Sequence, residues 1–321
     1  MENRRKGILY LAILLFSWPS FVSAETAIRI ACSGALNAAI PMFLGEQKKI
    51  FAKEGLTVEV IGTQSEQIAM QALVSGGVQY VCSSAAGFFY LAKQGGDVVG
   101  VASWDNSSPY SLATREKMKD LKELKGMRLA TSGAGGRADA FTRFILAKMG
   151  LDPRKDAQIM AISGGSGIRL AALVSARIDG TLIAPTQSKH AEKLGLTVIP
   201  VPMDYIQGII LTRRSYLDKN RDSVKAFLRG LAESVRALLA DKETSSKLMS
   251  RVLKIRDAEA LDDAYRILSS EAVPDLFPTE DGINNVLKTL SYGDPSFAKF
   301  SPAKYFDLSV IEELKAERGQ R

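Results

Sequence analysis

Polar side chains able to hold an oxyanion or the edge of a heterocycle recur in this chain where apolar runs give way to helical patterns. Ser33 and Asn37 follow Ile28–Ala31, Ser83 and Ser84 follow Val78–Cys82, and Ser132, Gly135, Gly136 and Arg137 follow Met127–Thr131. Hydroxyls and amides at such places supply donors and acceptors for a small ligand. A strand that turns through glycines into a helix also leaves unpaired backbone N–H groups pointing outward, an anion-binding end. Arg137 adds a planar fork of donors suited to a carboxylate, sulfonate or phosphate; the alternative is a solvated side chain or a pair with Asp139. Ser163 reads as the N-cap of another helix. Trp104 and Tyr205 suit either stacking on a ligand ring or packing at a hinge.

Reaction chemistry is poorly served by the same sequence. His190 is the one histidine, so no serine has a second histidine to act as its base, and its place in a helical pattern suits a surface residue. Gly133-Ala134-Gly135-Gly136 lacks the Gly-x-Gly-x-x-Gly dinucleotide spacing. Two cysteines and one histidine make no ligand cluster, so neither metal nor cofactor is expected. Cys32 and Cys82 each end an expected strand and form either a disulfide or two buried small hydrophobes. The net charge of +7 is spread along helical patterns without a dense basic tract, which argues against nucleic-acid binding.

The elements that must position these groups begin after a targeting segment. Arg4, Arg5 and Lys6 precede an apolar stretch from Ile8 to Trp18, and Val22-Ser23-Ala24 offers small residues for cleavage. A cut after Ala24 leaves about 297 residues with a net charge of +5, because Glu2, Arg4, Arg5 and Lys6 go with the leader. The alternative, a retained anchor, needs a longer apolar span.

Beyond it, strands are expected at Ile28–Ala31, Val58–Ile61, Val78–Cys82 and Val98–Ala102. Helices are expected at Ala38–Ala52, after a Thr63/Glu66 capping box, and at Phe88–Lys93. The alternation predicts an open parallel sheet covered by helices. The second hundred residues repeat the first. Met127-Arg-Leu-Ala-Thr-Ser-Gly parallels Ile28-Arg-Ile-Ala-Cys-Ser-Gly, Ala147-Lys-Met-Gly-Leu parallels Ala52-Lys-Glu-Gly-Leu, and Ala172-Leu-Val-Ser parallels Ala72-Leu-Val-Ser.

The reading is therefore an α/β protein of two lobes, residues 25–109 plus 210–321 and residues 110–209, with the cleft at the strands' carboxyl ends. Ser107–Thr114 and Gly208–Arg213 read as the crossings between lobes. From Arg221 the pattern is helical, with Val224, Phe227, Leu228, Leu231, Val235 and Leu238 on one face. Further helices are expected at Asp257–Ser269, Asp281–Leu290 and Ser309–Glu317.

Several stretches resemble the periplasmic solute-binding proteins of ABC importers, of the nitrate/sulfonate/taurine and thiamine-pyrimidine-precursor type. They are Pro41-Met-Phe-Leu-Gly-Glu-Gln-Lys-Lys-Ile-Phe-Ala-Lys-Glu-Gly-Leu, Leu121-Lys-Glu-Leu-Lys-Gly-Met-Arg-Leu-Ala, Ile145-Leu-Ala-Lys-Met-Gly-Leu-Asp-Pro and Tyr305-Phe-Asp-Leu-Ser. The resemblance implies a type II periplasmic binding fold, a small-molecule ligand, a permease partner at the inner membrane, a monomer and no catalysis. The family's Gly-Ser-x-Thr-Asp run is replaced here by Gly135-Gly136-Arg137-Ala138-Asp139, which leaves the ligand open. A sensory subunit on the same fold, or a periplasmic enzyme or chaperone built on it, are the other classes.

Overall fold

A computed structural model describes residues 25–319 except 34–35, 64, 108–109, 134–136, 163–165, 185–186 and 202–203; the leader Met1–Ala24 lies outside the described residues. The first lobe opens with β1 (Thr26–Ser33), followed by a 3-10 turn (Leu36–Ala39), α1 (Ile40–Gln47), α2 (Ile50–Lys53) and β2 (Leu56–Thr63). Then come α3 (Glu66–Val74), β3 (Tyr80–Ser84), α4 (Ala85–Lys93) and β4 (Val99–Ser107). The second half repeats the alternation with β5 (Tyr110–Thr114), β6 (Arg128–Thr131), α5 (Arg137–Lys148), β7 (Gln158–Ala161), α6 (Ser166–Val174), β8 (Gly180–Ile183), α7 (Ser188–Lys193) and β9 (Thr197–Val201). The strand β10 (Asp204–Thr212) precedes the C-terminal helices α8 (Arg214–Lys219), α9 (Arg221–Ala240), α10 (Lys242–Leu253), α11 (Ala258–Glu271), α12 (Glu280–Ser291) and α13 (Ser309–Gly319). No helix among the described residues is long and apolar enough to cross a membrane.

Two five-stranded sheets result, ordered β2-β1-β3-β10-β4 and β7-β6-β8-β5-β9. Each contains one antiparallel strand contributed by the other stretch of chain: β10 lies between β3 and β4, and β5 lies between β8 and β9. This changes the reading of the crossings. Tyr110–Thr114 and Gly208–Thr212 are strand, because their apolar residues complete a sheet, and the chain changes sheet between Ser107 and Tyr110 and again between Val201 and Asp204.

The expected helix from Ala38 to Ala52 is also divided. Lys49 takes a left-handed conformation with φ 54° between α1 and α2, and the bend turns Phe51 inward onto Phe227 of α9, rings 5.8 Å apart. Tyr80 stacks on the other side of Phe227 at 4.2 Å, so three aromatic rings fill the space between the first sheet and the C-terminal helices. On the second sheet, α6 and α7 close a small cluster of Ala113, Ala130, Leu170, Ala172, Leu173, Ile178, Ile183 and Ala191 that contains no aromatic ring. Between the lobes, Phe141 of α5 packs on Tyr205 of β10 at 4.1 Å and on Tyr110 of β5 at 5.1 Å.

Cys32 and Cys82 face each other in the β1–β3 register, both buried and neither in a disulfide. The alternative of two small buried hydrophobes is the one adopted, with the Cys82 thiol 3.8 Å from the Ala38 carbonyl.

Candidate functional site

The helix starts beside the interlobe opening are built from short polar turns. In lobe I, Ser84 is extended (ψ 145°) at the end of β3, and its Oγ accepts the Gly87 N–H at 3.0 Å, which caps α4. Ser83 is buried and donates its hydroxyl to Glu66 Oε1 at 2.5 Å; the same oxygen accepts the Ser84 N–H at 2.7 Å. Both serines of the expected jaw are therefore engaged by the protein itself.

Glu66 does not play its expected part in a Thr63/Glu66 capping box. Ser65 caps α3 by accepting the Ile68 N–H at 3.3 Å, Thr63 ends β2, and the Glu66 carboxylate reaches across to the start of α4. There it accepts two donors, the Ser83 hydroxyl and the Ser84 N–H, where a capping box would give it one.

In lobe II, Gly133 follows Thr131 with φ 123°, a conformation that suits glycine, and its N–H approaches Thr131 Oγ1 at 3.4 Å. Arg137 opens α5, while its side chain, Gly135 and Gly136 lie outside the described residues. The alternative pairing of Arg137 with Asp139 has a competitor: Arg143 donates to Asp139 Oδ2 at 3.0 Å and to the Pro153 carbonyl at 3.2 Å. Asp139 is 4% exposed in the first turn of α5, where a carboxylate complements the helix dipole. Ser132 is exposed at the opening. The side chains of Ser33 and Asn37 lie outside the described residues, although their backbones end β1 and form the 3-10 turn. Ser163 also lies outside them.

A cavity of about 1130 Å³ joins these regions. Glu66, Met70 and Tyr90 wall it on the lobe I side, and Ser132, Asp139 and Arg143 on the lobe II side. Burial pushes the Tyr90 phenol upward, with smaller upward contributions from Asp294 and Asp139. Trp104 and Tyr205 do not line this cavity in the present conformation. They are fully buried, Trp104 in the first-lobe core and Tyr205 against Phe141, so both take the packing alternative. His190 is exposed on α7. Among the described residues, no group of three or more His, Cys, Asp or Glu side chains is arranged to hold a metal ion.

Glu66, Asp139, Arg143 and Arg154 line the cavity and were absent from the sequence-derived site. Glu66 was read as a cap, although Ser84 and Gly87 three residues apart signal a second helix start able to hold its carboxylate. Arg169, buried on the apolar face of α6 with Leu170 and Leu173, lies outside that lining. It is 4% exposed, and its Nε donates to Thr181 Oγ1 at 3.2 Å. Burial lowers its pKa, while Tyr110 nearby raises it.

Comparison with known proteins agrees with this architecture. The model of the NMT1/THI5-like family matches residues 37–245. A Bacillus subtilis chain, YtlA, described as a binding protein, is 25% identical over 234 residues, 68% of each chain. The periplasmic aliphatic sulphonate-binding protein SsuA of Escherichia coli superposes with a TM-score of 0.69 at 18% identity, covering 84% of this chain and 88% of that one. The periplasmic nitrate-binding protein NrtA of Synechocystis gives 0.63 at 16%, covering 90% and 88%. A Candida albicans protein with the generic periplasmic binding protein fold gives 0.69 at 14%, covering 88% and 96%. The fold is the two-lobed periplasmic binding fold.

Proposed function

Because the chain belongs to the NMT1/THI5-like family, we propose that it is an exported solute-binding protein that captures a small molecule between its lobes and delivers it to an ABC importer's permease. The observation that carries the reading is the cavity of about 1130 Å³ with walls from both lobes. Its lining includes Glu66, Gly87, Ser132 and Gly133 from helix starts and turns that follow strands of both sheets, and a pocket of that kind suits a small organic solute. The two connections between the sheets form a hinge, and solute bound to both walls favours the closed arrangement. The protein acts as a monomer without chemistry of its own. Cleavage after Ala24 releases it into the periplasm.

The solute on this reading is anionic or heterocyclic. We infer from the sequence that Ser132, Gly135, Gly136 and Arg137 contribute N–H and guanidinium donors and that Ser33 and Asn37 contribute from lobe I. Sulphonate and nitrate, named for two relatives, are anions. A matching solute is expected to raise the melting temperature and shrink the particle in small-angle scattering. Arg137→Ala is expected to weaken binding about tenfold or more while stability stays near wild type. Silence across a broad panel of anions and heterocycles in both assays would overturn solute binding; unchanged affinity in the Arg137 variant would overturn only the anchor.

A further inference from the structure

The lobe I wall of the cavity carries a carboxylate held at the start of a helix other than its own. Glu66 stands in the first turn of α3, yet its carboxylate sits at the start of α4. Oε1 accepts two hydrogen bonds, from Ser83 Oγ at 2.5 Å and from Ser84 N at 2.7 Å. Oε2 accepts none among the described residues, although Glu66 lines the cavity. An ionised carboxylate has acceptor sites on both oxygens, so one oxygen is held in place and the other remains available.

Gly87 makes this arrangement possible. A Cβ built on Gly87 would lie 2.5 Å from the carboxyl carbon of Glu66 and 2.6 Å from Oε2. Any larger residue there would push the carboxylate away, and Gly87 is itself part of the cavity wall. The usual anion position at the start of α4 is thereby filled by the protein's own anion. A solute carboxylate or sulfonate placed there would meet like charge, whereas an N–H-bearing cation would find an open acceptor.

We propose that Glu66 Oε2 receives a protonated nitrogen of the solute, an ammonium or amidinium group, so that the cleft selects a solute carrying a basic nitrogen toward lobe I. This deepens and rests on the solute-binding reading. The anionic or ring portion lies toward α5, and the nitrogen distinguishes this cleft from one that takes a simple anion.

The test uses the mature full-length chain and four probes in two matched pairs: propanesulfonate with 3-aminopropanesulfonate, and 3-pyridylmethanol with 3-(aminomethyl)pyridine, both amino groups being protonated at neutral pH. Calorimetric titration is expected to give at least one amino member about tenfold or more tighter binding than its partner. Glu66→Gln keeps an oxygen acceptor for Ser83 and Ser84, and is expected to abolish the preference while the fold persists. Gly87→Ala is expected to reduce the preference by displacing the carboxylate. Equal or tighter binding of the members without the amino group, or a preference that survives Glu66→Gln, would overturn the inference and leave solute binding intact. Failure of all four probes would also overturn it, and the broader thermal and scattering screen would then decide solute binding separately.

Discussion

The two lobes follow one backbone plan and fill it with different chemistry. Both sheets place their first strand second, borrow an antiparallel strand at the fourth position, and run their first three strands parallel. Left-handed residues recur at matching places, Gly55 with Gly150, Gly76 with Ala176, and Gly95 with Gly195. In each lobe the backbone N–H of an arginine in the first strand is accepted by a side chain at the start of the third. Gln79 accepts from Arg29 at 2.8 Å in lobe I, and Asp179 accepts from Arg128 at 2.9 Å in lobe II. In the same register Tyr80 lies beside Ile30 while Gly180 lies beside Leu129. The plan is thus set by turns and strand pairing, and the side chains at equivalent places are free to make one lobe thick and the other thin.

That contrast is sharpest in the cores. Phe227→Ala removes the ring between Phe51 and Tyr80, and is expected to cost about 3–5 kcal/mol, seen as a large fall in melting temperature. Leu173→Ala, in the alanine-rich cluster of lobe II, is expected to cost about 2 kcal/mol. Equal losses would break the distinction between a thick and a thin lobe.

The matched turns supply a finer test. Gly76 has φ 84°, and an added Cβ would lie 2.4 Å from Arg213 Nη1, so Gly76→Ala is expected to destabilise by about 1–2 kcal/mol. Ala176 holds φ 59° without glycine's freedom, and Ala176→Gly is expected to gain about 0.5 kcal/mol. Denaturant midpoints of the two variants check the opposite signs.

The paired arginine ties predict a difference in acid. Hydrogen bonding by the Arg128 guanidinium, its largest cause, lowers the Asp179 carboxyl from 3.8 to about 2. The lobe II tie therefore contributes fully above about pH 4 and is lost as the pH falls through about 2. Gln79 in lobe I carries no titrating group. Asp179→Asn is expected to flatten the acid limb of the stability profile, and an unchanged limb would remove the tie from the account. The smallest effect belongs to Lys189 of α7, which meets Glu259 at 2.6 Å and Asp263 at 3.1 Å on α11. These exposed pairs join the lobes and are screened by salt. Lys189→Ala is expected to enlarge the scattering radius of the solute-free protein slightly at low salt and not at high salt.

Much of the plan was legible because it rests on local signals. Glycines at 55 and 150, the Ala-Leu-Val-Ser runs and the apolar face of α9 each mark an element by conformation or period. The borrowed strands were not legible. Tyr110–Thr114 and Gly208–Thr212 have strand composition, but nothing local tells such a segment which sheet it enters. The Lys48–Lys49 break was hidden for a related reason, since its cause is the distant ring of Phe227. The serines at 83 and 84 were singled out at the end of the third strand; they close β3, and their hydroxyls are turned to Glu66 and to their own helix. Glu66 escaped because a carboxylate three residues after a threonine is a sound cap signal, and only the fold brings the second helix start within its reach. Trp104 and Tyr205 sit where the hinge was expected, but burial against neighbouring apolar groups outweighs exposure of a stacking face.

Native mass spectrometry of the mature chain, purified without denaturation and then offered the anion and heterocycle panel, tests the central claim most directly. The account predicts a single small-molecule adduct of one per chain, either carried through purification or formed from the panel, and lost on unfolding. A bare chain under both conditions would contradict it.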